Sequence, residues 1–171
     1  GSLMGHRVTV LGASFKPDSD DVRDSPALNV AGQLSLAGAD VSVYDPQGMD
    51  NAAKVFPTLD YAASLEDALK GAELTILATE WDEFKRMDPV HAAELVEKQV
   101  LIDGRNVLNV EQWQQAGWQL DCWQHEESPL QTGTQYTGLQ QTVLQQTGTQ
   151  QACWQGEEAP RGAQGRKGWP P

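Results

Sequence analysis

Along the first 120 residues, short dense apolar runs alternate with segments of helical period, and polar loops join them. His6 to Leu11 reads as a buried strand. After a long polar loop, Ser25 supplies an N-cap and Pro26 a first-turn proline for a helix that ends near Gly38. Asp40 to Tyr44 is the next strand, stopped by Asp45-Pro46. Met49 to Phe56 reads as helix. Ser64-Leu-Glu-Asp67 has the form of a capping box with Asp at its third helical position, and it opens a helix to Lys70. Glu73 to Ala78 is a third strand; helical turns at 82–86 and 89–98 lead to a fourth, Gln99 to Asp103, and then to a helix from Val110 to Ala116. This alternation predicts an α/β fold, a mostly parallel sheet covered by helices on both faces. In such sheets ligands bind at the carboxyl ends of the strands, so the loops after those strands are where chemistry is sought.

The pattern stops near residue 120. Residues 121–171 contain 11 Gln, 6 Thr and 7 Gly, with few branched aliphatics to build a core. Gln131-Thr-Gly-Thr-Gln135 returns as Gln146-Thr-Gly-Thr-Gln150. Cys122-Trp-Gln-His-Glu-Glu-Ser-Pro129 returns as Cys153-Trp-Gln-Gly-Glu-Glu-Ala-Pro160. Such a segment buries too little apolar surface to offset chain entropy, and a disordered low-complexity tail is expected. It reads either as an extended or out-of-frame translation or as an extension that binds a partner through Trp123, Trp154 or Trp169. At the other end, residues 1–4 read as a remnant, Gly1-Ser2 resembling a cloning or protease scar. The expected domain therefore runs from 5 to 120.

Charge narrows the partners. The net charge is -12, most of it within the first 120 residues, which argues against nucleic acid as a partner, since that affinity comes from a basic face neutralising phosphates. No apolar run approaches the length of a membrane span. Two cysteines are too few for a disulfide scaffold, each lies in the repeated tail unit, and the cytoplasm is the expected compartment. His6, His91 and His125 are scattered and show no metal-ligand spacing.

An anionic ligand must then be held by a few local cations. The first strand leads into Gly12-Ala13-Ser14 and a long polar loop, without the G-x-G-x-x-G turn of a dinucleotide site. Lys16 on that loop is a mobile point charge and Arg23 a planar fork, both suited to phosphate oxygens. Arg23 equally reads as the partner of Asp20, Asp21 or Asp24. Arg105, in Asp103-Gly104-Arg105-Asn106, lies at the sheet's binding edge, and equally reads as a surface arginine on helix-terminal carbonyls. Trp81 can stack on a ring but reads more readily as packing. Asp45 ends the second strand where a ribose-binding carboxylate can sit, yet Asp-Pro favours a turn.

Four motifs in order carry a resemblance: Leu11-Gly-Ala-Ser-Phe-Lys-Pro-Asp-Ser-Asp-Asp-Val-Arg-Asp-Ser-Pro26, Tyr44-Asp-Pro46, Thr79-Glu-Trp-Asp-Glu-Phe84 and Asp103-Gly-Arg-Asn106. Over residues 5–120 the chain resembles the C-terminal, UDP-binding domain of the UDP-glucose/GDP-mannose dehydrogenase family, and Thr-Glu-Trp with Asp-Gly-Arg-Asn looks more like the UDP-glucose branch than the GDP-mannose or UDP-N-acetylmannosamine branches. The resemblance implies a Rossmann-like three-layer α/β/α domain. It implies that the complete enzyme is an NAD-dependent UDP-glucose 6-dehydrogenase, with an N-terminal NAD-binding domain and a central region that forms the dimer. Such enzymes oxidise the sugar C6 hydroxyl to a carboxylate through a thiohemiacetal and thioester on a cysteine, reducing two NAD. That cysteine's motif and the N-terminal domain are not in this sequence, so the chain is expected to be a fragment without catalytic residues. By the same resemblance Phe15, Lys16 and Arg105 contact the UDP-sugar, and Arg23 reaches toward NAD. A reading of another class is a non-catalytic binding or assembly module that kept the fold.

Overall fold

A computed structural model describes residues 3–122; the low-complexity stretch expected to be disordered lies outside the described residues, apart from Asp121 and the backbone of Cys122. Six strands form one parallel sheet: β1 (Arg7–Leu11), β2 (Asp40–Tyr44), β3 (Asp60–Tyr61), β4 (Leu74–Leu77), β5 (Val100–Asp103) and β6 (Gln119–Cys122). Their spatial order, β3-β2-β1-β4-β5-β6, is that of the doubly wound Rossmann fold, with the reversal of direction between β1 and β4. The helices are α1 (Pro26–Leu36), α2 (Met49–Val55), α3 (Leu65–Leu69), α4 (Asp82–Lys85), α5 (Pro89–Leu95) and α6 (Val110–Gln115).

The layering follows from the two-residue period of the strands. Val8 and Val10 of β1, Val41 and Val43 of β2, Leu74 and Ile76 of β4, and Val100 and Ile102 of β5 point to one face. There they pack with Ala27, Leu28, Ala31 and Leu34 of α1 and Ala52 of α2. Leu11, Leu77 and Leu101 point the other way, toward Leu69 of α3, Phe84 of α4, Ala92 of α5 and Trp113 of α6. Both faces of the central strands are buried; the first is apolar throughout, while the second carries Thr9, Ser42 and Thr75 among its apolar residues.

The caps carry out what the sequence signals. Ser25 accepts the Leu28 N–H before Pro26 at the helix start, and Gly38 comes after α1 with φ 95°. Ser64 accepts the Asp67 N–H, while the Asp67 carboxylate goes to Lys70, so only the forward half of a capping box forms.

Two strands are additional to the sequence reading. β3 has only two residues. β6 carries the domain to Cys122, with Leu120 and Trp118 in the second core cluster and Cys122 in register with Asp103. The expectation that neither cysteine belongs to the folded part is corrected here, since the Cys122 backbone ends a strand. Leu3, within the stretch read as a remnant, is buried in the first cluster. No helix of the described residues is long and apolar enough to cross a membrane.

Candidate functional site

The carboxyl ends of the strands are level. Tyr44, Leu11, Leu77, Asp103 and Cys122 are register partners across the sheet, so the loops after β2, β1, β4 and β5 leave one edge side by side. Backbone bonds continue the ladder one step beyond the strands, from Gly12 N–H to Tyr44 C=O at 2.7 Å, Ala78 N–H to Leu11 C=O at 2.8 Å and Gly104 N–H to Leu77 C=O at 3.0 Å.

At the reversal point the loops of β1 and β4 touch. Gly12 has φ 104°, and a Cβ there would stand 2.5 Å from Thr79 Oγ1 and 2.7 Å from the Thr79 backbone nitrogen. Glycine is required for both its conformation and its lack of volume. Thr79 thus stands against Gly12 at the point of the sheet where a dinucleotide-binding fold receives a pyrophosphate.

Asp45 organises the loops around this point. Its side chain is 1% exposed and receives six donors. Oδ2 accepts from Ala13 N–H at 2.7 Å, Ser14 N–H at 2.9 Å and Trp81 Nε1–H at 3.1 Å; Oδ1 accepts from the Ser14 hydroxyl at 3.0 Å, Gln47 N–H at 3.0 Å and Gly48 N–H at 2.6 Å. Burial pushes its pKa up, but the backbone donors of Ser14, Ala13, Gln47 and Gly48 outweigh burial and hold it below its ordinary 3.8. Thr79 adds a 2.8 Å bond from its hydroxyl to the Ser14 carbonyl. Asp45 has no lone pair to spare for a ribose, and the turn reading holds in a wider form: the carboxylate ties three loops together. Trp81, 5% exposed with its N–H on Asp45, is packing and does not offer a face for stacking.

Immediately after the pinned Ser14, Phe15 stands 59% exposed, unusual for a phenylalanine, and Lys16 is exposed beside it. The Phe15 N–H bonds the Asp21 carbonyl at 2.9 Å and closes the loop between them. Arg23 forms a two-pronged pair with Asp21, Nε to Oδ1 at 2.9 Å and Nη2 to Oδ2 at 2.8 Å, so one of the partners open to it in the sequence is chosen. That pair is on the surface. It holds the Asp21 pKa at about 2, chiefly by the side-chain bond from Arg23 and then by its backbone N–H, with Lys16 adding a smaller attraction. Lys16 and Arg23 are thus neighbours on one loop.

Arg105 comes from the loop after β5, on the far side of β4. That loop is built by Asp103, fully buried, whose oxygens accept from Arg105 N–H at 3.0 Å and from Val107 and Leu108 N–H at 2.9 Å. The guanidinium is ion-paired with Glu80 of the β4 loop, and both side chains are 29% exposed. This bond lowers the Glu80 pKa more than burial raises it. Sequence spacing placed Arg105 at the edge but did not single out Glu80, Ser14 or Thr79. The signal available was a polar residue directly at the end of each buried apolar run.

The domain that carries this geometry has known relatives. Residues 9–110 match the model of the UDP-glucose/GDP-mannose dehydrogenase family, UDP binding domain. A UDP-glucose 6-dehydrogenase of Rhizobium meliloti is 41% identical over 107 residues, 63% of this chain and 24% of that protein. Among solved structures, a UDP-glucose dehydrogenase from Pyrobaculum islandicum superposes with TM-score 0.55 at 31% identity, covering 68% of this chain and 26% of that one. A UDP-D-ManNAc dehydrogenase from Pyrococcus horikoshii gives TM-score 0.58 at 25% identity, covering 71% and 26%. The chain spans about a quarter of the length of the relatives it matches.

Proposed function

The chain belongs to the UDP-glucose/GDP-mannose dehydrogenase family as its UDP-binding domain, and from that membership we propose that it binds the nucleotide sugar of an NAD-dependent UDP-glucose 6-dehydrogenase acting in the cytoplasm. Phe15, Lys16 and Arg105 contact the UDP-sugar in this reading. One observation carries it: two cations and an exposed phenylalanine stand on loops from the level carboxyl edge of the sheet, in a domain whose overall charge is strongly negative. Phe15 covers an apolar part of the ligand. A diphosphate carries about two negative charges, and each charge-assisted bond from Lys16 or Arg105 contributes roughly 1.5 to 3 kcal/mol in a partly dry cleft.

The residues present do not form a complete dinucleotide cradle. The space beside Gly12 is occupied by Thr79, and Asp45 is saturated. NAD, which supplies hydride acceptance, is therefore assigned mainly to an NAD-binding domain outside this chain, joined through a dimer-forming central region. Arg23 is this chain's contribution toward it, exposed and held by a surface pair that a ligand phosphate can replace. The domain's share in the reaction is positioning of the sugar.

Titration calorimetry of the full chain with UDP and UDP-glucose tests the reading. Weak binding that Lys16→Ala and Arg105→Ala abolish is expected; no heat at millimolar ligand from folded protein would overturn it. Adding a separately expressed NAD-binding half and monitoring NADH absorbance tests the enzymatic part.

A further inference from the structure

We propose that Asp45 is the positioning residue of the nucleotide-sugar site: its buried carboxylate pre-forms the Phe15-Lys16 contact surface by pinning Ser14, and it does so without touching the ligand. The inference rests on the assignment of Phe15 and Lys16 above, and adds a residue whose role is neither the ribose contact its place in the fold suggests nor a simple turn.

The geometry is specific. All three polar groups of Ser14 are occupied: N–H and hydroxyl by Asp45, carbonyl by Thr79. Ser14 is 2% exposed, and the next residue, Phe15, is 59% exposed, so the chain leaves the core between these two positions. The direction in which Phe15 and Lys16 emerge is set by the peptide that Asp45 and Thr79 hold. A loop left to itself would lose ordering entropy on binding; a loop already held loses less, which translates into affinity. Gly48 shows how closely the clamp is built, because a Cβ there would stand 2.5 Å from Ser14 Oγ and 3.1 Å from Asp45 Oδ1.

Ionisation is required as well as shape. Each carboxylate oxygen accepts three donors, so an asparagine in either orientation turns an NH2 group toward three N–H or O–H groups. Its amide cannot satisfy either set.

The test is UDP calorimetry on the full chain with Asp45→Asn, Ser14→Ala, Trp81→Phe and a control, Leu34→Ala, which lowers stability from the last turns of α1, at the end of the helix away from the loop. Amide NMR monitors Phe15, Lys16 and the Trp81 indole N–H. Asp45→Asn is expected to weaken UDP binding at least tenfold, and Ser14→Ala and Trp81→Phe severalfold each, with the Phe15 and Lys16 resonances shifted or broadened. Leu34→Ala, though less stable, is expected to bind UDP as the wild type does. If the wild type binds and folded Asp45→Asn binds within twofold of it, or if Leu34→Ala loses binding equally, the positioning role is wrong. Should Asp45→Asn fail to fold, Ser14→Ala and Trp81→Phe decide, and wild-type affinity in both overturns the proposal. A wild type that does not bind UDP refutes the site assignment itself, a different and separately visible result.

Discussion

Glu80 and Arg105 are ion-paired across the ends of adjacent strands β4 and β5, and Glu80 competes with any anion that approaches Arg105. The pair is about one-third exposed, so its strength is that of a partly solvated bridge, about 1 kcal/mol. A diphosphate at Arg105 must share or displace this carboxylate and also meets its negative charge. Glu80→Gln is therefore expected to bind UDP about fivefold more tightly, with affinity falling more steeply as salt is added. Calorimetry at two ionic strengths checks both. A weaker affinity would mean that Glu80 serves to orient Arg105 and does not compete with the ligand.

Stability in acid should depend on Asp45. Its folded pKa is lowered, so its contribution is complete above the unfolded value near 3.8 and is lost as pH falls through the folded value. Asp45→Asn removes charge-assisted bonds and leaves buried donors unsatisfied, at a cost of about 3 kcal/mol near neutral pH. The wild-type advantage over this variant, measured by thermal unfolding from pH 7 downward, should hold to about pH 4 and shrink below it. An advantage that stays constant to pH 2 would contradict the assignment.

Gly12→Ala should be among the most damaging single changes in the domain. The methyl would meet Thr79 backbone as well as its hydroxyl, and the residue would retain a left-handed φ. About 3 kcal/mol or more of destabilisation is expected by urea unfolding. Thr79→Ser in addition should not restore stability, because the backbone nitrogen at 2.7 Å remains.

Arg23 and Lys16 share a loop but are assigned different ligands, and this predicts a separation. Arg23→Ala should leave UDP binding and the thermal midpoint unchanged, while the Asp21 carboxyl, monitored by NMR, moves from about 2 toward 3.8. Lys16→Ala should do the reverse, abolishing UDP binding with only a small effect on Asp21. Loss of UDP binding in Arg23→Ala would merge the two roles.

Much of the domain was legible because its signals are local. β2 was placed to the residue, since the alternation Asp-Val-Ser-Val-Tyr bounded by Asp-Pro has few alternatives. The start of α1 was equally plain from Ser25 and Pro26. The Arg23–Asp21 pair is two residues apart, within reach of any reading that considers charge neighbours. β3 escaped because two residues carry no period. β6 escaped because Leu120 is its only branched aliphatic residue and it lies against the low-complexity segment.

The site divided along the same line. By itself, the sequence determined an α/β alternation, the loops that leave the strands' carboxyl ends, and the placement of the cations Lys16, Arg23 and Arg105 on them, because periodicity, caps and charge are properties of neighbouring residues. Only the tertiary structure decided what Asp45 and Arg105 do. The donors to Asp45 from Ala13, Ser14 and Trp81 lie 31 to 36 residues away along the chain, and Glu80 lies 25 from Arg105. A carboxylate's partners are set by which loops the sheet brings to one edge, and that depends on strand order, which no local pattern records.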